Sequence, residues 1–242
     1  MSRPTFEPAS ADEVERLAAA LVGARLFVDR ADVIASHDRE PWRILVAGRD
    51  VAVVDRWREH LDLLAIEALW CADRAVPGAV RELRALATRL GMSDLISPPV
   101  PAEQVSLYQL AGMRVAEWGS VWRLDLRGGS HGAPVPPDGV TLRGGSITDL
   151  EAALEADRAS FDPFWRYDRR RLVRLIATQR LVVADRSGEV IGYTLTTAER
   201  GDAQLGRLCV VPAWRRRGVG RLLLADAMDH ARAGDALRLT LF

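Results

Sequence analysis

The 242-residue chain contains no lysine and no asparagine, so all 33 of its basic residues are arginine. The absence of lysine excludes a Walker A nucleotide site and a Schiff base with pyridoxal phosphate, because both need a lysine amine. Strong codon bias in a GC-rich genome is the simplest cause of this composition, and it predicts a bacterial source.

The chain also lacks net charge, since 33 acidic residues balance the 33 arginines. Without excess positive charge it has no bulk attraction for nucleic acid. It has no long apolar run, and no basic N-terminal region followed by an apolar one, as a membrane span or a secretion signal would require. Composition therefore predicts a cytoplasmic protein that binds neither nucleic acid nor membrane.

Cysteine and histidine are scarce, with two and four residues. Cys71 and Cys209 each lie in an apolar strand pattern, which is typical of reduced core thiols. The histidines show no spacing typical of metal ligands, so no metal site is predicted. They are His37, His60, His131 and His230.

The most informative stretch, residues 205–221, contains an apolar strand, a proline and then Arg215-x-x-Gly218-x-Gly220 at a helix start. A helix start leaves backbone N–H groups unpaired and carries partial positive charge. A phosphate can accept hydrogen bonds from these groups, and glycine lets it approach the main chain closely. The pattern therefore predicts a pyrophosphate site. Four arginines add positive charge there: Arg215, Arg216, Arg217 and Arg221.

Two other interpretations of the same stretch stay open. One is a tight strand-to-helix turn whose arginines are merely solvated. The other is a nucleic-acid patch at the arginine run 215–217, although no second run of that density extends it.

The elements predicted around this turn follow the order β-α-α-β-β-β-α-β. They are strand 140–143, helices 147–159 and 169–178, strands 181–185, 190–196 and 204–211, the helix after the turn, and strand 236–242. With the glycine turn between the fourth strand and the third helix, residues 140–242 resemble the GNAT superfamily of acyl-CoA-dependent N-acetyltransferases. The resemblance implies a mixed sheet of the α/β class and acetyl-CoA as co-substrate.

The resemblance also implies roles for the residues of the turn. The backbone of Cys209, Val210 and Val211 would pair with the pantetheine arm as an added strand. A strand N–H would polarise the thioester carbonyl while an acceptor amine attacks it. The pyrophosphate would be bound by the amides of Arg216, Arg217, Gly218, Val219, Gly220 and Arg221.

The first half looks like a degenerate copy of the second. Its predicted elements are helix 12–21, strands 43–47, 51–55 and 63–71, helix 79–90, strand 94–97, a segment at 107–115 similar to the family's late LY…GF signature, and a closing strand within 118–126. We therefore predict two GNAT-like domains in tandem, at 1–127 and 139–242. The mycothiol synthases share this layout, which by itself does not fix a substrate.

The cofactor turn of the first domain is predicted to be degenerate. With Gly78 aligned on Gly218, Ala75 takes the place of Arg215 and Val80 the place of Gly220. We therefore expect the first domain not to bind acetyl-CoA well, but to pack on the second and help to shape the acceptor site. The alternative is that residues 1–127 are an unrelated α/β domain.

Residues 128–138 are rich in glycine and proline, which is typical of an interdomain linker. They contain Gly128-x-Ser130-x-Gly132, the pattern of a hydrolase nucleophile. That pattern needs a helix after it, and the prolines that follow exclude one. A hydrolase is therefore not predicted.

Two departures from the family pattern affect catalysis. The position of the family's common general base holds Gln204, which cannot accept a proton at neutral pH. Glu199 and Asp202, just upstream, could act through water, or they are surface turn residues, so the catalytic residues remain unassigned. The chain ends at Phe242, after the fifth strand of the second domain, where the family continues. A fragment, completion by a second copy in a homodimer, and a pseudoenzyme remain alternatives.

The acceptor is the least predictable part. The loop 161–167, rich in aromatic residues, lies where this family lines its acceptor groove. Its rings could pack on a substrate, with Asp162 attracting an amine, or they could anchor the second helix. We predict an N-acetyltransferase acting on a primary amine of a small molecule or a peptide. The alternative is a non-catalytic module that binds acetyl-CoA.

Overall fold

The structure, a computed structural model, describes residues 5–128 and 134–241. The chain divides into two compact units, Met1–Trp118 and Gly119–Phe242. Within the described residues each unit contains one sheet with helices packed on its faces.

The sheet of the first unit has the order β1-β2-β3-β4-β5, in which only β4 and β5 run parallel. Helices α1 and α2 cover one face of this sheet, and α3 and α4 cover the other. The strands are β1 (Glu7–Pro8), β2 (Ile44–Ala47), β3 (Asp50–Trp57), β4 (His60–Trp70) and β5 (Asp94–Ile96). The helices are α1 (Ala11–Gly23), α2 (Arg30–Arg39), α3 (Val76–Arg89) and α4 (Val105–Gln109).

Local sequence sets the starts of the first two helices. At α1 the Ser10 hydroxyl accepts a hydrogen bond from the Glu13 amide, and the Glu13 carboxylate accepts one from the Ser10 amide at 2.8 Å. This reciprocal capping box satisfies two donors that the helix leaves unpaired. At α2 the Asp29 carboxylate accepts from the Asp32 amide at 2.8 Å. Sequence analysis missed α2, because its apolar residues are too few to give a clear helical period.

The sheet of the second unit has the order β6-β11-β10-β9-β8-β7, in which β10 and β11 run parallel and the other pairs antiparallel. Helices α5 and α6 cover one face, and α7 covers the other. The strands are β6 (Trp122–Asp125), β7 (Thr141–Gly144), β8 (Arg180–Arg186), β9 (Glu189–Glu199), β10 (Gly201–Val210) and β11 (Ala236–Leu241). The helices are α5 (Leu150–Ser160), α6 (Arg169–Thr178) and α7 (Val219–Ala233).

The two units repeat one topology. In each, a first strand leads to two helices, then to three antiparallel strands, a helix and a parallel strand. Each unit also has a β-bulge in the strand before its third helix, at Glu67 in β4 and at Gly206 in β10. This confirms the predicted α/β class with mixed sheets and the internal repeat.

Strand β6 does not pair as sequence analysis expected. The segment 118–126 was expected to close the first sheet, but Trp122–Asp125 pairs antiparallel with β11 of the second unit, with Leu124 opposite Leu239. The expectation was wrong because alternation identifies a strand but not its partner. One edge of β11 is therefore paired with β6.

Several predictions fall on residues outside those that the structure describes. Linker positions 129–133, which include Ser130, His131 and Gly132, are outside, as is Phe242. Within the described ranges, no helix is long and apolar enough to cross a bilayer. No cluster of three or more potential metal-binding side chains occurs in those same ranges.

Candidate functional site

The chain reverses sharply between β10 and α7. Pro212–Trp214 form a short 3-10 turn, Arg216 has φ 62°, and Gly218, the N-cap of α7, has φ 91°. Glycine adopts this left-handed conformation without strain, whereas a side chain there costs energy. Strained residues such as Arg216 persist where the surrounding structure fixes them, and they cluster at functional sites.

The start of α7 presents backbone donors that have no acceptor among the described residues. Leu222 N donates to Gly218 O at 3.0 Å, which is the first hydrogen bond within the helix. The amides of Val219, Gly220 and Arg221 therefore have no carbonyl partner within the helix, and no side chain caps this end. These donors and the helix dipole favour an anion at this place.

Gly220 and Val219 face inward. A Cβ at Gly220 would lie 3.7 Å from Val210 Cγ2 and 3.8 Å from Leu208 Cδ2, which are ordinary contacts. Val219 is buried in the core between α7 and the sheet. Both residues thus hold the helix start against the end of β10.

The four arginines differ in their surroundings. Arg215 donates to Val210 O at 3.1 Å and to Ser160 O at 2.8 Å, so its guanidinium joins the turn to the end of α5. Arg217 stacks on the Trp214 ring at 5.2 Å. Arg216 and Arg221 are exposed. The ten residues predicted to bind the cofactor thus lie together at the end of β10, in the turn and at the start of α7.

Beyond Leu205, one edge of strand β10 has no partner strand among the described residues, and it is called the open edge here. The pairing with β11 reaches Leu205 opposite Leu241, the last described residue, whereas the pairing with β9 continues to Val210. Val211 N donates to Ile191 O at 3.0 Å. Because antiparallel strands direct alternate amides toward the partner, the Cys209 amide also faces β9, and those of Leu208 and Val210 face the open edge.

Sequence analysis did not include Leu208 in the site. The amide of Val211, which it did include, is used within the sheet. The open edge supplies Leu208 and Val210 as donors for an added strand. Counting back from Val211 in steps of two assigns Cys209 to β9 and leaves Val210 and Leu208 facing away from it, but this count is possible only once Val211 is known to pair with β9.

Cys209 is a core thiol. It is fully buried, and its Sγ lies 3.3 Å from Ala156 O. Burial raises the pKa of this thiol to about 12, because the thiolate would lose its hydration. At neutral pH Cys209 is therefore a neutral thiol, and it cannot serve as a nucleophile that carries an acyl group.

We expect Ellman's reagent to modify Cys71, which is only partly buried, and to leave Cys209 unmodified in the folded protein. The reason is that only the thiolate reacts, and at pH 8 a thiol with this pKa is almost wholly protonated. Titration should give one thiol per native chain and two after denaturation. Two fast thiols in the native protein would contradict the assignment.

None of the three residues considered for acid–base chemistry is a poised base. Gln204 and Glu199 are exposed, and Asp202 pairs with Arg238, with Oδ1 3.0 Å from Nε. The catalytic residues therefore stay unassigned, and the backbone amides at the start of α7 and along β10 are the candidate binding groups.

A buried ion pair that the sequence did not reveal joins Arg207, which follows the bulge at Gly206, to Asp157 of α5. Arg207 Nε donates to Asp157 Oδ1 at 2.8 Å, and Nη2 donates to Oδ2 at 2.7 Å. The bulge at Gly206 places it there. Ala203 and Leu205 face α7, but after the extra residue Arg207 and Cys209 face α5. Simple alternation would put Arg207 on the wrong face.

The aromatic loop packs on this ion pair. The guanidinium carbon of Arg207 lies 3.4 Å from the Phe161 ring centroid and 4.1 Å from that of Tyr167. The Asp162 carboxylate accepts from the Phe164 amide at 3.0 Å. Phe161 and Tyr167 therefore anchor the loop, which favours the second of the two interpretations for these residues.

The corresponding turn of the first unit, at the start of α3, differs from the turn before α7. Helix α3 starts at Val76 after Ala75, whose φ is −89°. Gly78 is the third residue of the helix and is buried, so the alignment of Gly78 with Gly218 is wrong and Ala75 is the equivalent N-cap. Pro77 removes one of the first N–H donors. This helix start offers an anion fewer donors than α7 does.

Comparison with known proteins supports a family and a fold. Residues 149–242 match the sequence model of the Acetyltransferase (GNAT) family. No curated protein sequence matches the chain. Over 98% of this chain and 88% of the other, the structure is similar to a tandem GNAT protein from the clavulanic acid biosynthesis pathway, with 13% identity and a TM-score of 0.62.

Two further solved structures are similar along nearly the whole chain. A GCN5-related N-acetyltransferase from Kribbella flavida has 19% identity and a TM-score of 0.58 over 94% of this chain and 84% of that one. One from Sphaerobacter thermophilus has 18% identity and a TM-score of 0.57 over 100% and 86%. Residues 149–242 therefore match the GNAT family model, and the fold of the chain is similar to that of tandem GNAT proteins.

Proposed function

We propose that the second unit binds acetyl-CoA and transfers its acetyl group to a primary amine of a small molecule or a peptide. The observation that carries the proposal is the juxtaposition of two sets of unpaired donors. The amides of Val219–Arg221 suit a pyrophosphate, and the open edge of β10 beside them suits the amide-bearing pantetheine arm.

The chemistry follows from this placement. With the pantetheine arm along β10, the Leu208 amide is the donor for the thioester oxygen as negative charge develops on it. The amine nitrogen forms a bond to the carbonyl carbon, the carbon–sulfur bond breaks, and the proton that the nitrogen loses is balanced by the one that the sulfur gains, so coenzyme A leaves as the thiol. Since no base is assigned, we infer that the acceptor arrives as the neutral amine.

We infer that each chain binds one molecule of acetyl-CoA. The turn of the first unit lacks a left-handed glycine, and Pro77 occupies its helix start. A cytoplasmic location, a bacterial source and a homodimer stay predictions.

A non-catalytic acetyl-CoA-binding module is the second candidate. It is favoured by Gln204, which stands where the family commonly has a general base, and by the pairing of the neighbouring carboxylate of Asp202 with Arg238. Both candidates bind coenzyme A, but only the first releases the thiol.

The test is a thiol-release assay with acetyl-CoA and a library of amines, run beside calorimetry with coenzyme A. We expect one binding site per chain, and thiol release that depends on at least one amine. Binding without release for every amine would favour the module. Absence of binding would contradict both candidates.

A further inference from the structure

Arg207 joins three separate parts of the second unit. It belongs to β10, directly before Leu208, whose amide faces the open edge. Its guanidinium makes a bidentate ion pair with Asp157 of α5, and Nη2 also donates to Trp165 O at 2.9 Å. The planar group therefore holds the main chain of the loop as well as two of its rings, those of Phe161 and Tyr167.

Asp157 completes this arrangement from the other side. It is fully buried, and it accepts hydrogen bonds from the Tyr193 hydroxyl at 2.6 Å and from the Tyr167 amide at 2.9 Å. Burial, and next the charge of Asp157, raise the pKa of Tyr193 well above its usual value, so the phenol stays protonated and donates. A buried carboxylate with four donors is fully satisfied, which makes the cluster rigid.

An ion pair of this kind is not needed for stability alone. Apolar residues of similar volume often replace a buried pair without loss, because removing two charges from water is costly. A role in holding geometry gives a reason to keep one here. The cluster links the backbone next to Leu208 to the loop 161–167, so it fixes the distance between the proposed oxyanion donor and this loop, which the family resemblance places at the acceptor groove.

We propose that Arg207 and Asp157 are positioning residues, which hold the loop 161–167 against β10 so that the acceptor amine is aligned with the thioester carbonyl. This inference rests on the proposed function. Neither residue touches the reacting atoms, and both act through the loop and through the Leu208 amide.

The test compares two variants with a control. Arg207→Met removes the cation, and Arg207→Met with Asp157→Asn leaves no buried charge while keeping an oxygen acceptor for one of the two donors, the Tyr193 hydroxyl or the Tyr167 amide, which bond to different carboxylate oxygens. The double variant thus keeps the test usable if the single variant fails to fold. The control is Arg143→Met, which breaks another bidentate pair of the same unit, between β7 and Asp149, with bonds of 3.1 and 2.6 Å.

With an amine found by the thiol-release screen, we expect the double variant to lose about 100-fold in kcat/KM for the acceptor, as a misplacement of about 1 Å would cause. The dissociation constant of coenzyme A should change by less than about twofold, because the amides of α7 are untouched. Hydrogen exchange of the peptide 158–170 should become faster. The control should show none of these changes.

Arg207→Lys supplies the rescue. A lysine keeps the charge but cannot make the planar bidentate pair and the ring stacking together, so we expect acceptor kcat/KM between wild type and the double variant. Double-variant kinetics equal to those of Arg143→Met would overturn the proposal. If the wild type acetylates no amine, the proposed function fails instead. Hydrogen exchange of the peptide 158–170 in the double variant is then the deciding measurement. Protection equal to that of the wild type would overturn the anchoring of the loop by Arg207, and faster exchange would support it.

Discussion

Gly218→Val should abolish measurable binding of coenzyme A while leaving both units folded. Gly218 has φ 91°, a conformation that a β-branched residue adopts only with strain. To relieve it, the N-cap would rotate and turn the amides of Val219–Arg221 away from a common anion. Each hydrogen bond to a charged group contributes about 1.5–3 kcal/mol, so we expect a loss in affinity of at least about 100-fold by calorimetry.

A matched control separates strain from ligand binding. Gly188, in the turn between β8 and β9, has φ 88°, and nothing lies within 4 Å of a Cβ built there. Gly188→Val should therefore carry a similar strain of about 1–3 kcal/mol and a Tm loss of a few degrees. It should bind coenzyme A as the wild type does. If Gly218→Val and Gly188→Val bind equally well, the turn before α7 is not the cofactor site.

Features that neighbouring residues determine could be predicted from the sequence. The helix expected at 169–178 is confirmed as α6, because its apolar residues recur at helical spacing and Asp168 caps its start. The strand-to-helix turn expected around Gly218 is confirmed, since the strand, the proline and the glycines that define it are contiguous, and the structure adds that Gly218 is a left-handed N-cap. In both cases, neighbours in sequence carry the information.

Features that depend on pairing between distant segments could not be predicted. Asp157 and Arg207 are 50 positions apart, and the face that Arg207 occupies depends on a bulge at Gly206, which single-sequence alternation does not reveal. The amide direction of Leu208 depends on the register with β9. The geometry of the candidate site is therefore predictable at the helix start, where we propose that the pyrophosphate binds. It is not predictable at the acceptor end, where tertiary packing decides.

The second large effect concerns β6. Leu126, which follows β6, is buried against Leu239 and Ala236, and its amide donates to Leu237 O at 2.9 Å. Leu126→Asp would remove a core side chain and bury a carboxylate, at a cost of about 4 kcal/mol. We expect the Tm to fall by roughly 10 °C. Hydrogen exchange should become faster in α7 and β11 and stay unchanged in β2 and β3, because the damage is confined to the second unit.

Arg123→Asp is the control for this prediction. Arg123 lies in β6, opposite Thr240, and is exposed, so the same new carboxylate should change stability by about 0.5 kcal/mol or less. Loss of protection in β2 and β3 after Leu126→Asp would show that this segment closes the first sheet, as alternation alone suggested. Protection lost only around β11 would show that the second sheet depends for its edge on residues that precede the linker in sequence. A shortened protein that begins at residue 128 would lack β6. It would therefore expose the apolar edge of β11, which is prone to pair with other chains.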